Sequence, residues 1–310
     1  MTQANNITTK KITIVIPCYN EEKTISKVIN DFKKELPNVE IIVIDNNSND
    51  NSVKLAKESN AIVMTEEKQG KGYVVQKMFD EIDSDIYIMV DGDDTYFADD
   101  VHKLLQPVFD GKIDMSVGTR LEQATKKTLR PLHQFGNRVI LEIINIFFRC
   151  NFKDILSGYR VMNKKFVKNI PILANGFEVE TVLTLQALEK NLSIKEIPIK
   201  YKERPEGSHS KLKSFRDGSK ILYTILSILR DYRPMTFFPL LAGIMIFIGF
   251  IIGVVIIIEY YQTGFVSRLP SAVLSVSLII LGAITFITGL VVDTINRRFK
   301  ELQQLNQRSK

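Results

Sequence analysis

Tryptophan is missing from this 310-residue sequence, and cysteine occurs only at Cys18 and Cys150. Two cysteines cannot build a cysteine-ligated metal cluster, and they read as free thiols in small apolar sites of a reducing compartment. The first β-rich run ends in "PCYNEE" rather than Gly-x-Gly-x-x-Gly. Without those glycines the backbone does not come close to a dinucleotide pyrophosphate, which argues against an NAD or FAD site. No Gly-x-x-x-x-Gly-Lys-Ser/Thr stretch occurs, so P-loop phosphoryl transfer is also excluded. The opening "MTQANNITTKK" has no apolar core of a signal peptide, and the first 230 residues are expected to stay in the cytosol. The net charge is +6. No helix-turn-helix, zinc-finger or aromatic-platform pattern accompanies it, so the expected partner is an anionic membrane surface and not nucleic acid.

Charge is absent in two further places. Met235 to Ile258 and Ala272 to Val292 carry no charged residue. Each run is long enough to cross the roughly 30 Å hydrocarbon core, which takes about 20 helical residues. Arg230 and Arg233 precede the first run, and Arg297, Arg298 and Lys300 follow the second. The connector "EYYQTGFVSRLP" holds one Glu and one Arg. This bias predicts two spans with both termini cytosolic, and Tyr260 and Tyr261 at the far interface. Within the first span, "GFIIG" (Gly249 to Gly253) would allow close helix packing and raises the prospect of a homo-oligomer.

What is present before the spans is an alternation. "KITIVIPCY", "VEIIVID", "AIVMT", "DIYIMV" and "KIDMSVG" read as strands. Between them, "EEKTISKVINDFKKEL", "SVKLAKESN", "GKGYVVQKMFDEI" and "DDVHKLLQPVFD" read as helices, the first with Ile25, Val28, Ile29 and Phe32 on one face. Such alternation predicts an α/β fold with a mostly parallel sheet and ligands beyond the carboxyl ends of the strands.

Three chemical features lie at those ends. "MVDGDDTY" places Asp91, Asp93 and Asp94 within four positions after the fourth strand. Like charges so crowded need a cation or a set of donors, although an isolated acidic turn could simply be solvated. "IDNNSND" puts Asp45 at the end of the second strand, where it could accept from a ribose or base donor, or belong to an Asn/Asp-rich turn. "KQGKGYVV" sets Gly70, Lys71 and Gly72 before a helix, where amides and an ammonium could meet phosphate. Together they suit a metal-bound nucleoside diphosphate, with carboxylates holding a divalent cation that bridges the phosphates.

"IVIPCYNEE", "VIDNNSND", "GKG", "VDGDD", "GTR", "DILSGYRVM", "GFEVE" and "RPEGSHSK", in this order and followed by two spans, resemble the family 2 glycosyltransferases of the GT-A fold. Within them, the sequence is most similar to the polyprenyl-phosphate glycosyltransferases, the group of dolichol-phosphate mannose synthase and the bacterial undecaprenyl-phosphate enzymes. The resemblance implies a GT-A nucleotide-sugar-binding domain with a mostly parallel central sheet over residues 1–212. It would be followed by amphipathic interfacial helices over 213–234, a two-helix transmembrane hairpin over 235–292 and a cytosolic basic tail over 293–310. Ile221, Leu222, Ile225, Leu226 and Leu229 are spaced for one face of the interfacial helix.

By position, the resemblance implies that Pro17, Tyr19, Glu21 and Asp45 contact the nucleoside, with Lys71 nearby, and that Asp91 and Asp93 bind Mg2+ or Mn2+ and the donor diphosphate. Dolichol-phosphate mannose synthases often read Asp-Ala-Asp-Leu-Gln here. With Asp94 and Thr95 in place of Leu-Gln, the third protein ligand is open, and Asp94 is assigned beside the metal or facing the sugar. Arg120, His133, Asn137 and Arg138 match the side toward the acceptor phosphate, and the cations Lys126, Lys127 and Arg130 lie between them, in a stretch that could equally be a solvated loop. Asp154 is assigned to positioning the acceptor or sugar, with base catalysis as the lesser option. Glu180 is either a further acidic site group or a structural carboxylate. Arg204 and Lys211 flank a Gly/Ser segment that could close over the diphosphate. That segment is one residue longer than the usual Arg-x-x-Gly-x-Ser-Lys.

The implied activity is inverting, metal-dependent transfer of a sugar from a nucleotide sugar to a polyprenyl phosphate, with a UDP-sugar and undecaprenyl phosphate favoured. GDP-mannose is the alternative donor. A processive polysaccharide synthase is disfavoured, because such enzymes share a Gln-x-x-Arg-Trp acceptor motif and this chain has no Trp. A membrane-anchored nucleotide-sugar sensor is the non-enzymatic alternative.

Overall fold

A computed structural model describes residues 10–120, 141–142, 144–146, 150–172, 176, 179–202, 226–227 and 229–308. The chain divides into two compact units, Met1–Asp217 and Gly218–Lys310.

In the first unit, short runs rich in Ile and Val form the strands, as β-branched side chains favour the pleated backbone. The elements are β1 (Ile12–Cys18), α1 (Ile25–Glu35), β2 (Glu40–Asp45), α2 (Ser52–Glu58), β3 (Ile62–Thr65), α3 (Lys71–Glu81), β4 (Ile86–Met89), α4 (Val101–Phe109) and β5 (Met115–Arg120). They continue with β6 (Arg160–Asn163), α5 (Lys164–Asn169), α6 (Val179–Glu189) and β7 (Ile194–Ile199). The strands form one seven-stranded sheet in the order β3-β2-β1-β4-β6-β5-β7. The pairs β1/β2, β1/β4, β2/β3 and β5/β7 are parallel, and only β6 is antiparallel to its neighbours β4 and β5. The mostly parallel α/β sheet expected from the sequence is thus present, with β6 and β7 added to the five strands read there.

Alternate strand residues feed two cores. Ile14, Ile16, Ile41, Val43, Ile86 and Ile88 pack with Ile25, Val28, Ile29 and Phe32 of α1 and with Val101, Leu104 and Val108 of α4. Val15, Ile42, Ile44, Tyr87 and Met89 face the other way, onto α3, α5 and α6. The α1 face predicted by helical spacing is the face that is buried. Helices cover both faces, so ligands have access only at the sheet ends.

Asp114 ties the distal edge of the sheet. Its carboxylate accepts from the Ser193 amide at 2.9 Å and from the Ser193 hydroxyl at 3.0 Å before β7. It also accepts from Asn163 Nδ2 at 3.1 Å and from Lys165 Nζ at 3.1 Å after β6. Burial alone would raise its pKa, but these donors outweigh burial and hold it below 3.8. A carboxylate depressed in the fold stabilises it above the unfolded pKa, and that contribution is lost as pH falls through the folded value. Asp114→Asn is expected to cost about 1–3 kcal/mol at neutral pH. Thermal unfolding followed by circular dichroism should show the gap from wild type narrowing below pH 3.8.

The second unit holds two long helices, α7 (Pro234–Thr263) and α8 (Leu269–Arg308). Within them, Pro234–Thr263 and Leu269–Phe299 are long and apolar enough to cross a membrane. Their mutual contact is built on small residues. A Cβ at Gly249 would lie 2.9 Å from the Ser275 carbonyl oxygen, one at Gly253 2.8 Å from Ser275 Oγ, and one at Gly282 2.6 Å from Ile246. Ser275 Oγ also donates to the Gly249 carbonyl at 2.7 Å. Close approach over small residues with a hydroxyl between the backbones is how apolar helices pack where solvent supplies no hydrophobic drive. The "GFIIG" surface is therefore used inside the hairpin, and it gives no support to an oligomer.

Candidate functional site

The chain reverses its order of strand addition between β1 and β4, and the crevice beyond their carboxyl ends is where an open α/β sheet binds its ligand. Asp91, Gly92, Asp93 and Asp94 follow β4 at that point. Thr24, just before α1, donates through Oγ1 to the Gly92 carbonyl at 2.7 Å and fixes the turn. Asp93 is buried, and its Oδ1 accepts from the Thr95 hydroxyl at 2.6 Å and the Thr95 amide at 3.2 Å. Asp94 has a left-handed backbone (φ 58°) and a buried side chain held by Lys27 Nζ at 2.8 Å and Lys202 Nζ at 2.6 Å. Burial works against the charge on Lys27, but Asp94 and Asp31 outweigh it and hold its pKa above the ordinary range.

The Asn/Asp-rich turn after β2 divides into structural and chemical parts. Ser48 Oγ accepts from the Asn20 amide at 2.9 Å, Ser52 Oγ from the Glu21 amide at 2.7 Å, and Asp50 Oδ2 from the Glu22 amide at 3.1 Å. The turn thus clamps the loop after β1 that carries Tyr19 and Glu21. Asn46 reaches the other way: its Oδ1 accepts from the Gly70 amide at 2.7 Å, and its Nδ2 donates to the Lys68 carbonyl at 2.7 Å. Asp45 is buried, its Oδ2 accepts from the Ser48 amide at 3.2 Å, and its Oδ1 has no partner among the described residues. An orphaned buried carboxylate oxygen at a strand end fits a ligand donor.

Lys71 opens α3 and is delivered by the loop that Asn46 holds. Its Nζ bonds Asp91 Oδ1 at 2.5 Å and also bonds Glu180 Oε1 of α6. Burial lowers the pKa of this ammonium, but Asp91 and Glu180 outweigh burial and raise it above its ordinary value. Gly158 lies against the far side of Asp91, where a Cβ would sit 2.3 Å from Asp91 Oδ2. No residue with a side chain fits there while Asp91 keeps its place.

Arg160, fully buried at the start of β6, holds that glycine turn. Its guanidinium donates to the Ser157 carbonyl at 2.9 Å, the Ile155 carbonyl at 2.7 Å and Thr184 Oγ1 of α6 at 2.9 Å. Burial lowers its pKa, while the charges of Glu180, Asp154 and Asp91 act the other way.

On the far side of the turn, Arg120 and Asp154 form a bidentate pair, Nε to Oδ2 at 2.6 Å and Nη2 to Oδ1 at 2.8 Å. Asp154 also accepts from the Arg120 amide and the Leu156 amide, both at 3.2 Å. Burial opposes the Arg120 charge, but Asp154 outweighs it and lifts the guanidinium above its ordinary pKa. The guanidinium lies over the Tyr201 ring at 5.4 Å, and Tyr201 packs on Tyr96 at 5.4 Å. The Tyr96 hydroxyl accepts from the Gly158 amide at 3.0 Å. Contacts therefore run unbroken from Arg120 and Asp154 through Tyr201, Tyr96 and Gly158 to Asp91, Lys71 and Glu180. Lys202 joins the same region, because its amide donates to the Thr95 carbonyl at 3.0 Å. The segment that leads into Arg204 thus starts beside the acidic turn.

Pro17 and Tyr19 are half-buried and Glu21 is buried at the β1 end. His133, Asn137, Arg138, Arg204 and Lys211 lie outside the described residues, as do Lys126, Lys127, Arg130, Ile221, Leu222 and Ile225. Sequence reasoning missed Gly158, Arg160, Tyr96, Asn46 and the two lysines that hold Asp94, Lys27 and Lys202. Gly158 and Arg160 stood within the quoted "DILSGYR", where a glycine followed two residues later by arginine at the start of an apolar run was the available signal.

The match to known proteins follows this architecture. Residues 13–170 fit the family model described as Glycosyl transferase family 2. The chain belongs to glycosyl transferase family 2. It is 28% identical over 300 residues to Glycosyltransferase AglJ of Haloferax volcanii, spanning 95% of this chain and 98% of that protein. It is 46% identical over 123 residues to Protein RfbJ of Shigella flexneri, spanning 40% of this chain and 95% of that one. Among solved structures it is similar to glucosyl-3-phosphoglycerate synthase from Mycobacterium tuberculosis in complex with Mn2+ and uridine-diphosphate-glucose. That likeness has a TM-score of 0.56 at 23% identity and covers 72% of this chain and 79% of that chain. The sheet is thus of GT-A type, and this family 2 member is a glycosyltransferase.

Among the described residues no three His, Cys, Asp or Glu side chains converge as a metal cage. The donor set still suits a hard divalent cation, because Mg2+ is commonly held by one or two carboxylates with substrate phosphates and water supplying the rest. The Gly158 gap reserves space for Asp91, and an ammonium already lies on its Oδ1. Gly158→Ala should displace that carboxylate and lower glycosyl transfer about 100-fold. The fold should survive, with a loss of about 1–3 kcal/mol from overpacking. Retained transfer would show that the glycine turn does not fix Asp91.

Proposed function

We propose that this glycosyltransferase moves a sugar, with inversion, from a nucleotide sugar to the phosphate of a polyprenol at the cytosolic face of a membrane. A UDP-sugar and undecaprenyl phosphate are the favoured pair. The observation that carries the reading is the Asp91–Gly92–Asp93 turn at the strand switch point, with the orphaned Asp45 oxygen two strands away and the Arg120–Asp154 pair on the opposite flank. Two relatives support the acceptor class. One is named "Dolichyl-phosphate hexose transferase" from Haloferax volcanii (26% identical), and the other "UDP-N-acetylglucosamine--dolichyl-phosphate N-acetylglucosaminyltransferase" from Methanococcus voltae (27%). The two long apolar helices support a lipid acceptor, and the arginines flanking them support cytosolic termini.

In this reading Asp45 accepts from the nucleoside, with Pro17, Tyr19 and Glu21 shaping its seat, and Asp91 and Asp93 hold Mg2+ or Mn2+. The bound cation would offset the diphosphate charge as the nucleotide departs. Asp94, fixed between two lysines, borders the sugar. Arg120 Nη1, which has no hydrogen-bond partner among the described residues, is the donor for the acceptor phosphate. Asp154 spends both oxygens on Arg120 and two amides, so it acts by positioning Arg120 and not as a base. None is needed, because a monoester phosphate has a second pKa of about 6 and is already anionic at pH 7. Bringing two anionic substrates together then sets the barrier, and fixed cations lower it. Arg204 and Lys211 are assigned to the departing diphosphate, and His133, Asn137 and Arg138 to the acceptor side.

The test is transfer of radiolabel from UDP- and GDP-sugars to undecaprenyl phosphate by membranes carrying wild type or Asp93→Ala, with Mg2+ or Mn2+ and with EDTA. One donor should give a metal-dependent lipid product, and Asp93→Ala should reduce it at least about 1,000-fold. A GDP-mannose product would redirect the donor assignment. Donor binding with no lipid product from any sugar would overturn the acceptor.

A further inference from the structure

Lys71 occupies an unusual position for a cation in a site that is to take another. Its side chain is 11% exposed, and its ammonium is shared between Asp91 and a Glu180 side chain that is 6% exposed. The lone pairs of Asp91 Oδ1 that receive Lys71 are the ones a divalent cation would need. Gly158 packs close against the Asp91 carboxylate and limits its movement on that side. Glu180 is anchored too: its helix is held through Thr184, which donates to the Glu180 carbonyl at 3.0 Å and accepts from Arg160. The mobile member is the lysine, on its flexible four-carbon stem.

We propose that Lys71 is a place-holder cation on Asp91 and that Glu180 retains it when a divalent cation binds, so that the Lys71–Glu180 pair sets the metal affinity of the site. The lysine keeps a carboxylate partner in both states. Before binding, one ammonium serves two carboxylates. After binding, the metal serves Asp91, and Lys71 with Glu180 forms a neutral buried pair, which avoids the cost of an uncompensated charge. Without Glu180, release of Lys71 from Asp91 would strand a buried ammonium, and metal would compete less well. Lys71 and Glu180 are therefore positioning residues for the cation. The inference rests on the reading of Asp91 as a metal ligand.

The experiment is Mn2+ binding to the purified full chain in detergent without nucleotide, read by electron paramagnetic resonance of free Mn2+. Lys71→Met should bind Mn2+ about tenfold tighter than wild type, because a competitor within ion-pair distance is removed. Glu180→Gln should bind it several-fold weaker. Lys27→Met removes a positive charge from the neighbouring Asp94 without touching Asp91 and should change affinity less than about twofold. Tightening by Lys27→Met equal to that by Lys71→Met would reduce the effect to net charge and overturn the proposal. So would unchanged or weaker binding by Lys71→Met while Asp91→Asn abolishes it. Unchanged binding in Asp91→Asn would instead sink the reading of Asp91 itself. Circular dichroism checks each variant, and if Lys71→Met does not fold, Glu180→Gln decides: wild-type or tighter binding there overturns the proposal.

Discussion

Negative charge crowded at one end of a sheet is the condition that the rest of this site answers. Asp45, Asp93, Asp94 and Glu180 are all buried there, and Asp91, half-buried, lies beside them. A buried carboxylate is tolerated only when paired or hydrogen-bonded. Each is met by a different device. Asp93 takes the hydroxyl and amide of Thr95, Asp94 takes two lysines, and Asp91 and Glu180 divide one. Asp45 keeps one oxygen without a partner among the described residues. The residues that look accessory, Thr24, Asn46, Lys27 and Lys202, are the means by which so many anions share one crevice.

Compensation also joins the two flanks. Arg120 and Asp154 neutralise each other, and their pair touches Tyr201, whose neighbour Tyr96 holds the glycine turn against Asp91. The Arg120–Asp154 flank and the Asp91 flank are thus not independent patches. A shift at Arg120 would be felt at Asp91 through packed rings and one amide.

The sheet from β1 to β5, the buried face of α1 and the position of the acidic turn were all legible in the sequence, because each depends on local pattern: strand runs, helical spacing and a run of carboxylates after an apolar segment. β6 was not, since Arg160–Asn163 is four residues long and begins with an arginine whose full burial contradicts its type. β7 mixes Lys, Glu and Pro into "IKEIPI", which blurs the strand period. The partners of the site residues were hidden for a different reason. Lys71 and Glu180, or Arg120 and Asp154, lie far apart along the chain, and no local rule announces which charges will meet. The glycines of "GFIIG" were correctly read as a close-packing surface, and they pack against the following helix.

The single antiparallel strand has a consequence for how this architecture can diversify. Because β6 runs against β5, the chain leaves the sheet at Arg120 and returns at Arg160 on the same end. The connection between them, residues 121–159, therefore leaves and rejoins the sheet at the ligand-binding rim. At its closing end Tyr159 belongs to a core, Asp154 pairs with Arg120, and Gly158 lies beside Asp91. Variation along such a connection is confined by these closing contacts, which tie it to the acidic turn that follows β4.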